Sequence, residues 1–115
     1  MRKKKYTNLW LCFVEIKAKD EANFNDLIDF DGSTKMNYIG AWGNILIKSE
    51  TIREVIDIIE NGLGELGFAA KFIDKIENFS SLVEYKEANK SVVKEADWLL
   101  KSDFVFMISD KLFPY

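Results

Sequence analysis

Residues 45–72, ILIKSETIREVIDIIENGLGELGFAAKF, contain the pattern strand, helix, strand from which the predicted architecture follows. The aliphatic run at residues 45–47 suits a packed strand, and the sequence returns to an extended apolar pattern at residues 68–76. Between them, apolar residues recur at helical spacing and predict one buried stripe: Ile52, Val55, Ile56, Ile59 and Leu63. Because burial of this stripe is strongly favourable, the helix must lie on a sheet that includes its flanking strands.

The ends of this helix carry recognisable signals. Ser49 and Thr51 are both candidates for the N-cap, and Thr51 would form a capping box with Glu54. Glycine in the last turn is typical of a helix C-terminus. Three glycines are predicted to end the helix: Gly62, Gly64 and Gly67.

Two strands are predicted before the helix. Residues 9–16 are apolar on both faces, which is typical of a strand in the centre of a sheet. Residues 35–48 are extended, with Gly40 and Gly43 on either side of Ala41-Trp42. They form either one long strand bent at a bulge or two strands joined by a tight hairpin, and we favour the single bent strand.

After the third strand, residues 79–90 are predicted to form a polar connection, residues 91–101 a second helix and residues 103–109 the last strand. Strands and helices in this order predict an α+β two-layer sandwich, with a four- to five-stranded, mostly antiparallel sheet and two or three helices, broadly ferredoxin-like. The length indicates a single domain over residues 1–115, of which residues 1–7 form a frayed basic tail.

The charge distribution points to a protein partner. The net charge is −3, but four basic residues stand at positions 2–5, and the remaining chain has twelve basic and nineteen acidic residues, a net charge of −7. An acidic body argues against nucleic-acid binding and fits a partner that is itself basic. The most acidic stretch, residues 18–34, is interpreted as a short helix or a partly helical loop.

Two tryptophans add to the candidate binding surface. Trp42 lies between two glycines and is either a recognition residue or a core aromatic, whereas Trp98 falls beside the apolar stripe of the second helix. Aromatic residues flanked by acids are suited to protein interfaces. The candidate partner-binding residues are therefore Asp20, Glu21, Asp26, Asp29, Asp31, Trp42 and Trp98. The alternative is that the acids form a solvated face and the aromatics close the core.

The sequence lacks the usual signatures of catalysis and metal binding. It has no histidine, no Cys-x-x-Cys pair and no phosphate-binding loop, so we expect no catalytic residue, no cofactor and no metal site. Cys12 lies in an apolar run and is interpreted as a small buried hydrophobe. That run is too short for a signal peptide or a membrane span, so we expect a cytoplasmic protein without membrane contact.

The chain contains, in order, a strand, the segment SETIREVIDIIENGLGELGF (residues 49–68), a second strand, a helix and the segment DFVFMIS (residues 103–109). This layout resembles that of small bacterial α+β proteins found among the toxin-immunity proteins. The resemblance covers residues 35–110 and implies a protein that blocks one cognate toxin, often with an acidic face against a basic nuclease. The alternative is a small-ligand-binding or regulatory domain, with homodimer formation left open. An enzyme would need a buried carboxylate pair and is the least favoured hypothesis.

Overall fold

The computed structural model describes residues 5–19 and 39–115, and it describes residues 110 and 111 in their backbone only. The strands in order β3-β1-β2-β4 form one sheet, and every neighbouring pair is antiparallel. The predicted α+β sandwich with a four-stranded antiparallel sheet is thereby confirmed. The elements in chain order are β1 (Leu9–Ala18), β2 (Gly40–Lys48), α1 (Ile52–Glu65), β3 (Phe68–Asn78), α2 (Phe79–Glu84), α3 (Lys90–Lys101) and β4 (Phe106–Pro114).

The central position predicted for the first strand is also confirmed, since β1 lies between β3 and β2. Successive side chains of a strand point to opposite faces of the sheet. On the first face, Cys12, Val14 and Ile16 pack with the buried residues of α1 and make this helix the second layer. On the second face, Leu9 and Leu46 pack against α2 and α3. The coverage of this second face by two helices was not predicted from the sequence.

The buried stripe of α1 is narrower than predicted. Val55, Ile59 and Leu63 are fully buried, but Ile52 and Ile56 are 49% and 43% exposed, so their predicted burial is wrong. The helix is rotated towards β4: Ile58, on the other border of the stripe, is partly buried in the core. As a result, the apolar residues on the opposite border face solvent.

Of the three glycines that were predicted to end α1, only Gly67 does so. The helix continues through Gly62 and Gly64 and is followed by Gly67, which has a φ of 86°. Glycine enters this left-handed region without steric cost, which explains the sharp exit into β3. Gly62 has a different role, because a Cβ atom there would lie 2.7 Å from ring carbons of Phe106. This glycine lets α1 approach β4 closely.

The helix N-termini differ in how they are capped. Thr51 occupies the N-cap position of α1, but its hydroxyl makes no cap hydrogen bond, so the predicted capping box is wrong. Instead, Ser49 Oγ accepts a hydrogen bond from the Thr51 N–H at 3.2 Å. Asn78 caps α2 and Asn89 caps α3, where its side chain accepts from the Ser91 N–H at 2.9 Å.

Replacing Asn89 by alanine is expected to lower the free energy of unfolding by about 1 kcal/mol, because an N–H group in the first turn of α3 loses its acceptor. Thr51→Ala is the matched control, and its loss should be clearly smaller because Thr51 makes no cap bond. Urea unfolding followed by circular dichroism measures both values. Equal losses for the two variants would contradict this account of the caps.

The segment around Gly40 and Gly43 belongs to one strand, as we favoured over a hairpin. β2 runs without interruption through both glycines, and its register against β4 shifts between Gly43 and Ile45. The extra residues of this irregularity lie on β4, where residues 109–111 stand opposite Asn44 alone, and β2 pairs with β1 without a shift. The predicted bulge in β2 is therefore wrong. Two other boundaries were wrong: β4 starts three residues later and runs further than predicted, and the predicted connection at residues 79–90 includes α2.

Part of the predicted frayed tail is anchored. The Tyr6 hydroxyl donates a hydrogen bond to Asp97 Oδ1 at 2.7 Å, and its ring contacts Phe79 edge-on with 5.1 Å between the centroids. Lys5 Nζ lies 2.9 Å from the same carboxylate oxygen. Hydrogen bonds from Lys5 and Tyr6 hold the pKa of Asp97 below its usual value. The tail is thus attached to α3 from Lys5 onwards, and residues 1–4 lie outside the described residues.

Candidate functional site

The structure describes two of the seven predicted site residues. Asp20, Glu21, Asp26, Asp29 and Asp31 lie outside the described residues. Trp42 and Trp98 belong to two separate aromatic groups, one on the second face of the sheet and one beside the start of β4. The structure therefore does not join them in one site, and each group is considered with its own neighbours.

Trp42 belongs to a sheet-face cluster formed by Phe13, Trp42, Phe72 and Phe113. The rings of Phe13 and Trp42 are stacked with 5.3 Å between their centroids, and Phe72 meets Trp42 edge-on at 6.2 Å. Trp42 is half-buried, while Phe72 and Phe113 are about half exposed. Trp42 is therefore part of a layer of aromatics on the sheet surface, and neither of the two predicted roles describes it fully.

Glu15, whose surroundings the sequence did not determine, lies in the same row of the sheet as Trp42 and Phe72. Its carboxylate accepts a hydrogen bond from the Tyr115 hydroxyl, and Lys71 Nζ lies 3.7 Å away. The hydrogen bond to Glu15 raises the pKa of Tyr115. These contacts satisfy a carboxylate that is only 13% exposed, so we assign Glu15 a structural role.

An apolar groove runs between α1 and β4 on the first face of the sheet. Its volume is about 520 Å³. Its floor is formed where Gly62 packs on the ring of Phe106. Of its lining residues only Glu65 carries a charge. The groove is lined by Ile58, Asn61, Gly62, Glu65, Leu66 and residues 104–108.

Among the residues that the structure describes, no strand pairs with the outer edge of the strand beside this groove. β4 is the outermost strand on its side of the described sheet. The Lys48 N–H donates to Val105 O at 2.9 Å, so the backbone of Val105 points towards β2. Backbone groups of an antiparallel strand alternate in direction, and those of Phe106 and Ile108 therefore point away from the sheet. Such groups can accept another strand.

Exposed aromatics stand at the beginning of this edge. Trp98 is 53% exposed and stacks on Phe104, with 6.0 Å between centroids and 15° between ring planes. Phe104 is 62% exposed and Val105 is 50% exposed. Trp98 thus lies outside the core, and its stacking partner also lines the groove.

The helical side of the groove carries one acidic side chain, Glu65, and α1 as a whole is acidic. The exposed charged residues of α1 comprise one base, Arg53, and four acids: Glu54, Asp57, Glu60 and Glu65. We name the groove with Glu65, the outer edge of β4 and the Trp98–Phe104 pair the β4-edge surface. Apart from Trp98, none of these residues was predicted as a binding residue.

Cys12 is a buried thiol, as the sequence indicated. It is fully buried in the core under α1, and burial raises its pKa to about 12. We therefore expect no reaction of the native protein with Ellman's reagent at about pH 8 and full reaction in denaturant. Because the unfolded thiol ionises first, Cys12 should also lower stability as the pH rises above about 9. Rapid labelling of the folded protein would contradict this burial.

The described part of the chain shows neither a cluster of metal-ligand side chains nor a helix that could span a membrane. Within residues 5–19 and 39–115, no group of three or more His, Cys, Asp or Glu side chains is placed to hold a metal ion. The longest helix described has 14 residues, and none has the length and apolar character needed to cross a membrane.

Comparison with family models, with curated proteins and with solved structures gives no match for this chain. The β4-edge surface is therefore interpreted from its geometry and charge.

Proposed function

We propose that the chain is a protein-binding module of the immunity or inhibitor type, which neutralises a basic cognate toxin through the β4-edge surface. The observation that carries the proposal is the exposed Trp98–Phe104 pair, in which Phe104 also lines an apolar groove that contains the acid Glu65. Tryptophan in such a position is enriched among residues that dominate binding energy. The Glu65 carboxylate and the acidic character of α1 would favour the approach of a basic partner.

The proposed surface is acidic and aromatic like the predicted one, but it lies at β4 and α1 and not at residues 20–31. Glu65 of α1 lines the same groove as Phe104. A role for the acids at residues 20–31 stays a prediction. A cytoplasmic location also belongs to the proposal, and the unpaired buried Cys12 fits a reducing compartment.

A small-ligand-binding domain is the second candidate. In its favour, the volume of the groove falls within the range of small-molecule pockets. Such pockets usually hold several convergent polar groups that fix a ligand. Here only Asn61 and Glu65 contribute polar side chains. A largely apolar groove beside the outermost strand of the described sheet is better suited to a peptide segment.

The test is co-production of the chain with the basic products of genes adjacent to its own, with bacterial growth as the readout. We expect one product to arrest growth and the chain to restore it. The variant pair Trp98→Ala with Phe104→Ala should weaken the purified complex by roughly tenfold or more, as expected for a hot spot. Tyr85→Ala, which removes an aromatic that is 70% exposed outside the β4-edge surface, is the matched control.

Two results would reject the proposal. One is the absence of any partner whose toxicity the chain relieves. The other is a complex that survives the loss of Trp98 and Phe104 with unchanged affinity. A small molecule that raises the melting temperature and is released by the same two substitutions would favour the second candidate.

A further inference from the structure

We propose that the sheet-face cluster, together with the lysines around it, binds single-stranded nucleic acid. This inference goes beyond the proposed function and is independent of it, because the cluster lies on the second face of the sheet and the groove lies on the first. It depends on three features of the described residues: exposed aromatic rings, nearby positive charge and the absence of free backbone groups in the two central strands.

Aromatic rings from all four strands meet on this face. Phe113 of β4 pairs with Trp42 of β2, and Phe72 of β3 meets Trp42 edge-on at 6.2 Å. Phe13 of β1 stacks on Trp42 and lies 6.5 Å from Phe113. Phe72 is 55% exposed and Phe113 is 49% exposed, so both offer ring surface to a ligand. A contiguous exposed aromatic surface of this kind marks a binding site.

Lysines surround these rings. Lys75 pairs with Phe13 across the sheet and therefore shares its face, and Lys17 shares the face of Glu15 because it is two residues further along β1. Lys71 lies on the same side, with Nζ 3.7 Å from the Glu15 carboxylate. All three lysines are exposed, whereas Glu15 is only 13% exposed and is balanced by Lys71. The cluster therefore offers positive charge to a ligand.

This positive charge is separated from the acids of α1. The helix packs on the first face, so the sheet lies between its carboxylates and the three lysines. The net charge of −3 led us to expect no nucleic-acid binding. Charges further apart than about 10 Å are screened by salt, however, and a ligand on the second face meets the nearby lysines first.

The combination of rings and lysines indicates the ligand. A single nucleic-acid strand carries a planar base and a negative phosphate in every unit. Its bases stack on exposed aromatic rings whatever their sequence, and lysines contact its phosphates. A four-stranded sheet whose aromatic residues stack bases is also the RNA-binding surface of a common class of domains. The sheet here has the same number of strands and carries an aromatic residue of the cluster on each.

An acidic peptide and a duplex are poorer occupants. The backbone groups of β1 and β2 are paired with strands on both sides, so a peptide cannot join the sheet beneath the cluster. Its side chains would need pockets, whereas the cluster covers the surface of a sheet. In a duplex the bases are stacked on one another and are not free to stack on protein rings.

The test measures binding of a fluorescein-labelled oligouridylate of about ten nucleotides to the full chain by fluorescence anisotropy at low salt. Four competitors separate the sources of affinity: a duplex of the same length, heparin, uridine monophosphate and the peptide Glu-Phe-Glu-Phe-Glu-Phe-Glu. Heparin carries negative charge without bases, and the monophosphate is a single unit of the strand. Amide shifts in nitrogen-15 spectra locate the binding site.

We expect the single strand to bind roughly tenfold more tightly than the duplex and to shift the amides of Phe13, Trp42 and Phe72. Phe72→Ala combined with Phe113→Ala should weaken binding roughly tenfold or more, because stacking partners are lost. Phe72→Leu keeps apolar surface at this position but removes the ring, and it should also weaken binding. Tyr85→Ala, which removes an aromatic that is 70% exposed outside the cluster, is the matched control and should leave binding unchanged.

The charge contribution is tested separately. Lys75→Glu should weaken binding roughly three- to tenfold, whereas Lys90→Glu, the same charge change on α3, should not. The logarithm of the association constant should fall with the logarithm of salt concentration with a slope of about −2, as expected for three phosphate contacts to a single strand. Urea unfolding of each variant shows that it remains folded.

Five results would overturn the inference. They are no binding at low salt, heparin or the monophosphate binding as tightly as the strand, the acidic peptide binding more tightly than the strand, unchanged affinity after loss of Phe72 and Phe113, and amide shifts centred on the β4-edge surface. Trp98→Ala with Phe104→Ala should leave nucleic-acid binding intact. Failure of the proposed function is thereby distinguished from failure of this inference.

Discussion

Replacing Phe79 by alanine is expected to lower the free energy of unfolding by about 3–5 kcal/mol. Phe79 is the largest of the fully buried side chains, and it lies between the second face of the sheet and the helices α2 and α3. Alanine would remove its burial energy, leave a cavity and delete the edge-on contact with Tyr6. Urea unfolding measures the loss. If the free energy of unfolding depends on urea concentration with the same slope in both proteins, the unfolded state is unchanged.

Phe104→Ala is the matched control for this variant. The same atoms are removed, but Phe104 is 62% exposed, so the loss should stay below about 1 kcal/mol, mainly from its stacking on Trp98. The control also shows that the variants used to test binding remain folded. Similar losses for Phe79 and Phe104 would mean that α2 and α3 contribute little to holding the second face.

Elements with strong local periodicity were predictable from the sequence. β1 and β3 have the apolar content of packed strands, and α1 and α3 have apolar residues at helical spacing over several turns. In these elements the local pattern agrees with the secondary structure that forms, so no knowledge of distant residues was needed to predict a helix or a strand. The packing of α1 did need it, since Ile52 and Ile56 are exposed. The sandwich class followed from their order along the chain.

The errors arose where distant contacts decide the outcome. Residues 79–84 are too few to show helical periodicity, and α2 is recognisable only because Phe79 reaches the core between β1 and α3. Residues 104–108 are apolar at both odd and even positions, so the sequence did not show that β4 starts at Phe106. Phe104 and Val105 are consequently exposed, although they were predicted to lie in a buried strand.

The candidate site was predictable in its character but not in its position. Acidic and aromatic residues were expected to form it, and Trp98 was correctly singled out as lying outside the buried stripe. The acids of α1 were overlooked because they are spaced along a helix, whereas those at residues 20–31 are dense in the sequence. The groove itself depends on the contact between Gly62 and Phe106, which brings two distant segments together.

That contact fixes the rotation of α1, and a pair of isoleucines can measure it. Ile59→Ala is expected to lower the free energy of unfolding by about 2–5 kcal/mol, because Ile59 is fully buried in the core between α1 and the sheet. A loss of this size is a large part of the stability of an ordinary domain. Thermal and urea unfolding of the variant provide the measurement.

Ile56→Ala removes the same atoms from the same helix and is expected to cost less than about 1 kcal/mol, since Ile56 is 43% exposed. Alanine also favours the helix slightly more than isoleucine, which reduces the cost further. The difference between the two variants therefore reports which side of α1 faces the sheet. Equal losses would mean that Ile56 lies in the core and that Gly62 faces away from Phe106. The groove of the β4-edge surface would then not exist.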